Sequence, residues 1–316
     1  MMLSVDAVIP TYHRPGRAES LAQELIGQCR AGDSVMVVAQ GENPPAGLPA
    51  GVRLITLARP NLPAARNAGI AASAADIVMF IDDDCAPAAG LIDAHRSCYN
   101  DPAVAGVAGF VGDPLFDRTQ PRPSRIDLAT GECVQNFSLA KSCPTASVMG
   151  ANMSFRRSAL IAAHGFDEHY KHNALWEEID LSLRLLAKGV ALWYCAGAKA
   201  VHMREEEGGC RAQNGRKYLY HQFANTAYFA ARFAAPRHYG SWFTFWKYRL
   251  EYLSRTPPGG GHGARDATAV FCGICGAAAG IARFLLARPF SGDGIGGVDR
   301  SALGQALAGL ERGVDA

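Results

Sequence analysis

The chain has 316 residues, of which 49% are hydrophobic and 19% charged, which excludes wholesale disorder and allows one or two domains around a large core. A formal charge of +2 excludes a nucleic-acid partner held by bulk electrostatics. The charge is uneven: residues 1–205 carry 18 Lys and Arg against 21 Asp and Glu, whereas residues 206–316 carry 13 against 8.

The first hundred residues alternate strand and helix signals. Val5–Ile9 is a short apolar run ended by Pro10, and Pro15 suits the first turn of a helix. The apolar positions Ala18, Leu21, Ala22, Leu25, Ile26 and Cys29 give that helix one buried face. Ser34–Ala39 and Val52–Leu57 read as strands, Pro63–Ala75 as a helix of small residues, and Ile77–Ile81 as a strand apolar on both faces. Such alternation predicts an α/β fold, with a mostly parallel sheet covered by helices on both sides.

Further along, a helix after Pro87 and a strand at Val104–Val111 precede a turn-rich stretch with a hairpin over Arg125–Phe137, turning at Thr130–Gly131. Asn152–Phe155 reads as a strand, Ser158–His164 and Leu175–Lys188 as helices, Ala191–Cys195 as the last clear strand, and Ala196–Val201 as a loop of small residues. Composition then changes. Arg216–Arg255 interleaves aromatics with Arg and Lys, Pro257–Gly263 reads as a linker, and Ala267–Ala287 is an apolar Ala/Gly-rich helix containing Gly276 and Gly280. Two domains follow: 1–205, and a helical extension over 206–316.

Nine cysteines without regular spacing do not form a disulfide framework, and Cys272 and Cys275 read as packing residues in their apolar run. With no signal peptide at Met1–Pro10, the expected setting is the reducing cytoplasm.

Chemistry concentrates in three places. Asp82-Asp83-Asp84 ends the apolar strand, where three adjacent carboxylates repel one another unless a cation sits among them. Open α/β sheets bind ligands at that edge, and hard oxygen ligands suit Mn²⁺ or Mg²⁺. Taken alone, the run equally describes a solvated loop. Glu177 and Glu178 open a helix, where the helix dipole favours ionised carboxylates, one of which could accept a proton. His202 could complete a cation site begun by carboxylates.

In order and spacing these features resemble the family 2 glycosyltransferases of the GT-A fold. The resemblance rests on V-I-P-T-Y-H-R at Val8–Arg14, A-A-R-N-A-G at Ala64–Gly69, F-I-D-D-D at Phe80–Asp84 and G-A-N-M-S-F-R-R at Gly150–Arg157. It continues through G-F-D-E at Gly165–Glu168, W-E-E-I-D-L at Trp176–Leu181 and A-V-H at Ala200–His202.

The resemblance implies an inverting, metal-dependent transfer of a sugar from a nucleotide diphosphate to an acceptor hydroxyl. The acceptor would be a carbohydrate, a lipid-linked or a small molecule, in bacterial-type polysaccharide, glycolipid or glycoconjugate synthesis. Pro10, Thr11, Tyr12, Arg14, Arg66, Asn67, Asp82, Asp83 and Asn152 would contact the nucleotide sugar. Asp84 and His202, with Asp82, would hold Mn²⁺ or Mg²⁺, and Glu178 would be the base, with Glu177 in reserve. A UDP or dTDP sugar is what the resemblance implies; the second strand departs from the family by ending in Ala39-Gln40 where Asp is common, although Gln40 offers an amide donor and acceptor that could read a uracil or thymine edge.

The basic, aromatic tail leaves three roles open: an anionic membrane surface at the inner face, a second copy in a homodimer, or a lid. Two other activities share parts of this pattern. A sugar nucleotidyltransferase would need a Gly-rich phosphate loop where Thr11–Gly16 stands, and a non-catalytic nucleotide-sugar binder would not need both acidic clusters.

Overall fold

The apolar runs build the middle of one sheet. In the computed structural model, which describes residues 2–113, 116, 119–128, 132–205, 208–209, 215–233, 267–287 and 298–312, the strands are β1 (Val5–Tyr12), β2 (Ser34–Gln40), β3 (Arg53–Leu57), β4 (Ile77–Ile81), β5 (Cys85–Pro87) and β6 (Val104–Gly112). They continue with β7 (Ser124–Asp127), β8 (Glu132–Gln135), β9 (Cys143–Pro144), β10 (Asn152–Arg156) and β11 (Ala191–His202). The helices are α1 (Pro15–Ile26), α2 (Leu62–Ala72), α3 (Leu91–Cys98), α4 (Arg157–Ala162), α5 (Glu177–Leu186), α6 (Gly215–Phe233), α7 (Ala267–Leu286) and α8 (Arg300–Arg312).

Among the described residues nine strands form one mixed sheet in the order β3-β2-β1-β4-β10-β6-β11-β5, with β9 paired to β11. The first four are parallel, β10 runs antiparallel between β4 and β6, and β6 and β11 are again parallel. The chain therefore winds outward from β1 to β3 and returns on the other side of β1 at β4. That reversal opens a crevice at the strands' carboxyl ends, between the segments that follow β1 and β4.

Every residue of β4 is buried, as a strand covered on both faces requires. Gly69 on α2 shows how closely the layers meet, because a Cβ there would lie 2.5 Å from Val8 Cγ1. Phe80, Phe155 and Phe166 pack edge to face at centroid distances of 5.3 to 6.4 Å.

Two strands run longer than expected. β1 continues through Pro10 to Tyr12, and since its ladder with β4 stops at Val8, the missing N–H is tolerated beside one neighbour. β11 crosses the predicted loop Ala196–Val201 with a register shift between Cys195 and Lys199, a bulge that keeps its carboxyl end in the sheet as far as His202. The hairpin β7–β8 forms as expected, although its turn at Thr130–Gly131 lies outside the described residues.

Of the extension, α6 packs on the core. Trp176, just before α5, stacks on Phe229 (4.4 Å, 16°), and its Nε1 donates to Thr226 Oγ1 at 3.0 Å. Arg232 bridges the buried carboxylates Asp167 and Asp180. α7 lies close along α6, since a Cβ at Gly276 or Gly280 would fall 2.3 or 2.1 Å from a carbonyl oxygen of α6. Its other side exposes Phe271, Ile274 and Leu285. Among the described residues no helix is long and apolar enough to cross a membrane. The aromatic and basic run beyond Phe233, with the predicted linker, lies outside the described residues.

Candidate active site

An open cleft of about 240 Å³ lies at the carboxyl ends of β1 and β4. On one side it is lined by Pro10, Tyr12, Arg14, Gln40, Asp82, Asp83, Asp84 and His202, and on the other by Asn173, Leu175, Glu177, Glu178 and Tyr218, with Arg66 at the base.

The acidic run splits by environment. Asp82, with 30% of its side chain exposed, faces the cleft and accepts from Arg66 at 3.2 Å. Asp83 is turned inward, where it accepts from Thr11 Oγ1 at 2.6 Å and Arg14 Nη1 at 3.0 Å. Burial pushes its carboxyl up to about 6 against these two partners. Asp84 lies between Arg14 (3.1 Å) and His202 Nε2 (3.2 Å). One ligand atom from each of Asp82, Asp84 and His202 falls within 4.8 Å of the others, a spacing and donor set that fit a divalent cation of the Mn²⁺ or Mg²⁺ kind.

His202 is oriented from behind by a residue the sequence reading missed. Its Nδ1 meets Asp113 Oδ2 at 3.2 Å, and Arg204 Nε reaches both Asp113 oxygens at 2.8 Å. Burial favours the neutral ring, but Asp113 and Asp84 outweigh it and push the His202 pKa up to about 9. A carboxylate behind a ligating imidazole fixes its tautomer and raises its basicity. The available signal was an acid ending an apolar strand, as Asp82 does after Ile81.

The opposite wall is built from strained backbone. His172, Ala174 and Trp176 have φ of 56°, 47° and 82°, left-handed values that bulky L-residues adopt only when the surroundings fix them. The Trp176–Phe229 stack supplies that constraint. The two glutamates then separate. Glu177 is buried and paired with Arg66, which also touches Asp82 and the Gly150 carbonyl. Glu178 stays partly exposed in the cleft, and desolvation raises its carboxyl above the ordinary range, against its own backbone N–H and the charge of Arg66. Of the two, Glu178 is the one whose side chain is partly open to the cleft.

Other expected contacts are spent on structure. Asn152 is fully buried, donates to Phe110 O (3.0 Å) and Ala198 O (2.9 Å), and accepts from His95 at 2.8 Å. It satisfies carbonyls beside the β11 bulge, which corrects its expected place against the nucleotide sugar. Thr11 gives its hydroxyl to Asp83, and Asn67 is tied to Phe166 and Glu168; neither lines the cleft. Gln40 does line it, with Oε1 accepting from Asn61 N at 2.9 Å and Nε2 3.4 Å from Thr11 O. One lone pair and one N–H remain for a ligand.

A Rossmann-like sheet with an acidic rim and a facing carboxylate wall defines a GT-A glycosyltransferase domain. Residues 6–162 match the profile of glycosyl transferase family 2, and the chain belongs to that family. A pre-mycofactocin glycosyltransferase of Mycobacterium tuberculosis is 33% identical over 145 residues, which are 44% of this chain and 29% of that protein. The match thus spans less than a third of the relative's length. Two solved structures share the fold with a TM-score of 0.54 each. GalNAc-T7 with UDP, GalNAc and Mn²⁺ is 12% identical over 79% of this chain and 54% of its own. The mannosyltransferase PcManGT of Pyrobaculum calidifontis, in complex with GDP-Man and Mn²⁺, is 15% identical over 100% of this chain and 80% of its own.

Proposed function

We propose that this protein is an inverting, divalent-metal-dependent glycosyltransferase that moves a sugar from a UDP or dTDP donor to an acceptor hydroxyl. The observation that carries the reading is the placement of Asp82, Asp84 and His202 across one cleft from Glu178. Mn²⁺ with UDP and GalNAc in one structural relative, and with GDP-Man in the other, supports the same chemistry, and Gln40 supports a pyrimidine base.

Asp84 and His202, with Asp82, would hold the cation. When bound, it neutralises charge developing on the diphosphate leaving group. Asp113 keeps His202 turned toward Asp84. Arg66 ties Asp82 to Glu177 and so sets the height of α5 against the metal side. Glu178 takes the proton of the acceptor hydroxyl as it attacks; its raised carboxyl makes it a stronger base than a solvated glutamate. With the leaving group at the Asp84–His202 side and the base on α5, a single in-line displacement would invert the anomeric centre.

A panel of nucleotide sugars with Mn²⁺ tests this directly. Release of nucleoside diphosphate from one donor, lost on chelation, is expected. Formation of pyrophosphate instead would identify a nucleotidyltransferase, and no turnover of any donor would leave a binder.

A further inference from the structure

On the Glu178 side, the loop entering α5 meets α6 at a cluster of basic groups. His172 and His221 stack with ring centroids 3.4 Å apart and planes at 25°. Lys217 and Arg283 lie within electrostatic reach of both rings, and Lys171 within reach of His172. Burial, then these cations, hold His172 below its ordinary range; burial, His172, Arg283 and Lys217 push His221 down to about 4. After burial, the nearby cations account for part of that depression, the mark of positive charge around the two rings.

The cluster also contains polar atoms without hydrogen-bond partners. His221 is 8% exposed, and its Nδ1 has no hydrogen-bond partner; the Asn173 Nδ2 is buried in the same state. Buried polar atoms ordinarily find partners, so such atoms mark a place where a ligand completes the set. Asn173 is held by Asn225 through its Oδ1 (2.8 Å) and lines the cleft beside Glu178. The acids facing Lys171 are Asp167 and Glu168. Asp167 is engaged by His169, Tyr228 and Arg232, and Glu168 by Asn67, so among the described residues the two acids nearest Lys171 are already paired elsewhere.

We propose that this cluster seats an anionic group, a phosphate or carboxylate, carried by the acceptor next to its reacting hydroxyl. The word acceptor rests on the transferase reading above; binding of the anion does not. Lys171 and Lys217 supply charge, and His221 and Asn173 supply directed hydrogen bonds. The anion belongs either to a soluble phosphorylated molecule or to a lipid headgroup.

The test is an NMR titration of the histidine rings of the full chain with inorganic phosphate, Mn²⁺ left out. The signals of His172 and His221 are assigned from their Gln variants. A saturable upward shift of both ring pKa values is expected, because the anion favours the imidazolium form. In the Lys171→Ala/Lys217→Ala double variant, phosphate binding should weaken at least about tenfold, since charge-assisted contacts are lost. Lys217→Arg should retain it. No saturable shift, or an unchanged midpoint in the double variant, overturns the proposal. Sedimentation with phosphatidylglycerol against phosphatidylcholine vesicles separates the sources. Selective binding that the double variant loses assigns a headgroup, whereas phosphate binding without vesicle binding assigns a soluble acceptor. Failure of the transferase reading would show separately, as absent donor turnover beside an intact phosphate titration.

Discussion

Trp176 lies flat on Phe229 with ring centroids 4.4 Å apart, so a helix of the extension holds the residue that immediately precedes the two cleft glutamates. Trp176 has a left-handed backbone and leaves Glu177 and Glu178 in the first turn of α5. Phe229→Ala should lower stability by about 3–5 kcal/mol, the usual cost of emptying a buried aromatic site. Turnover should fall beyond that loss while donor affinity holds. Thermal melts beside single-turnover kinetics check both parts.

Glu178→Gln should lose about 10²–10⁴-fold in turnover and retain nucleotide-sugar binding. Glu177→Gln should behave differently, because it breaks the buried pair with Arg66 and leaves that guanidinium only the partly exposed Asp82, at a cost of up to about 3–5 kcal/mol. Turnover measured well below the melting temperature separates the two. A Glu178→Gln enzyme with near wild-type turnover would remove the base assignment.

The acid limb of kcat/KM should lie above the ordinary glutamate pKa of about 4.3, since burial raises the Glu178 carboxyl. A raised base is protonated at higher pH, so activity climbs with pH through its shifted pKa and is lost below it. A pH profile in Glu178→Asp, compared with wild type, tests whether this group sets the limb.

Asp113→Asn should weaken the response to Mn²⁺ by about 10–100-fold without touching the metal directly, as loss of a carboxylate behind a ligating histidine does. Asp84→Asn should abolish it. Donor binding measured by calorimetry across a Mn²⁺ series gives both values. An Asp113→Asn protein with an unaltered Mn²⁺ midpoint would show that His202 needs no such partner.

Arg232 compensates two buried carboxylates, Asp167 and Asp180. Burial alone would raise Asp167, but His169, Arg232 and Tyr228 hold it well below the usual carboxylate range. Its contribution to stability is therefore present above the unfolded-state pKa and lost as pH falls below it. Arg232→Ala should be strongly destabilised near neutral pH and should narrow its deficit on acidification, as seen in urea melts at two pH values.

Much of this arrangement was legible from residue patterns. A strand apolar on both faces has one stable home, the middle of a covered sheet, so β4 fixed both the architecture and the rim on which Asp82–Asp84 stand. His202 could be named as a ligand, but its orienter could not. Asp113 lies 89 positions away and meets it only because β6 and β11 pair. Asn152 stood in a motif whose neighbours face the cleft, and alternation along β10 with the β11 bulge turned it inward. The unusual backbone of Trp176 carried no local signal, because its constraint arrives from α6.

Apart from His202, the two banks of the cleft come from separate stretches of chain. Asp82 and Asp84 fall within residues 6–162, whereas Glu178, Asn173 and α6 lie beyond them. On the proposed transferase reading, substitutions at 171–176 and along α6 should therefore retune which molecule receives the sugar while nucleotide handling stays intact. For engineering, this makes 171–176 and 215–233 the segments to diversify when a new recipient is sought, with Glu177, Glu178 and His202 left as they are.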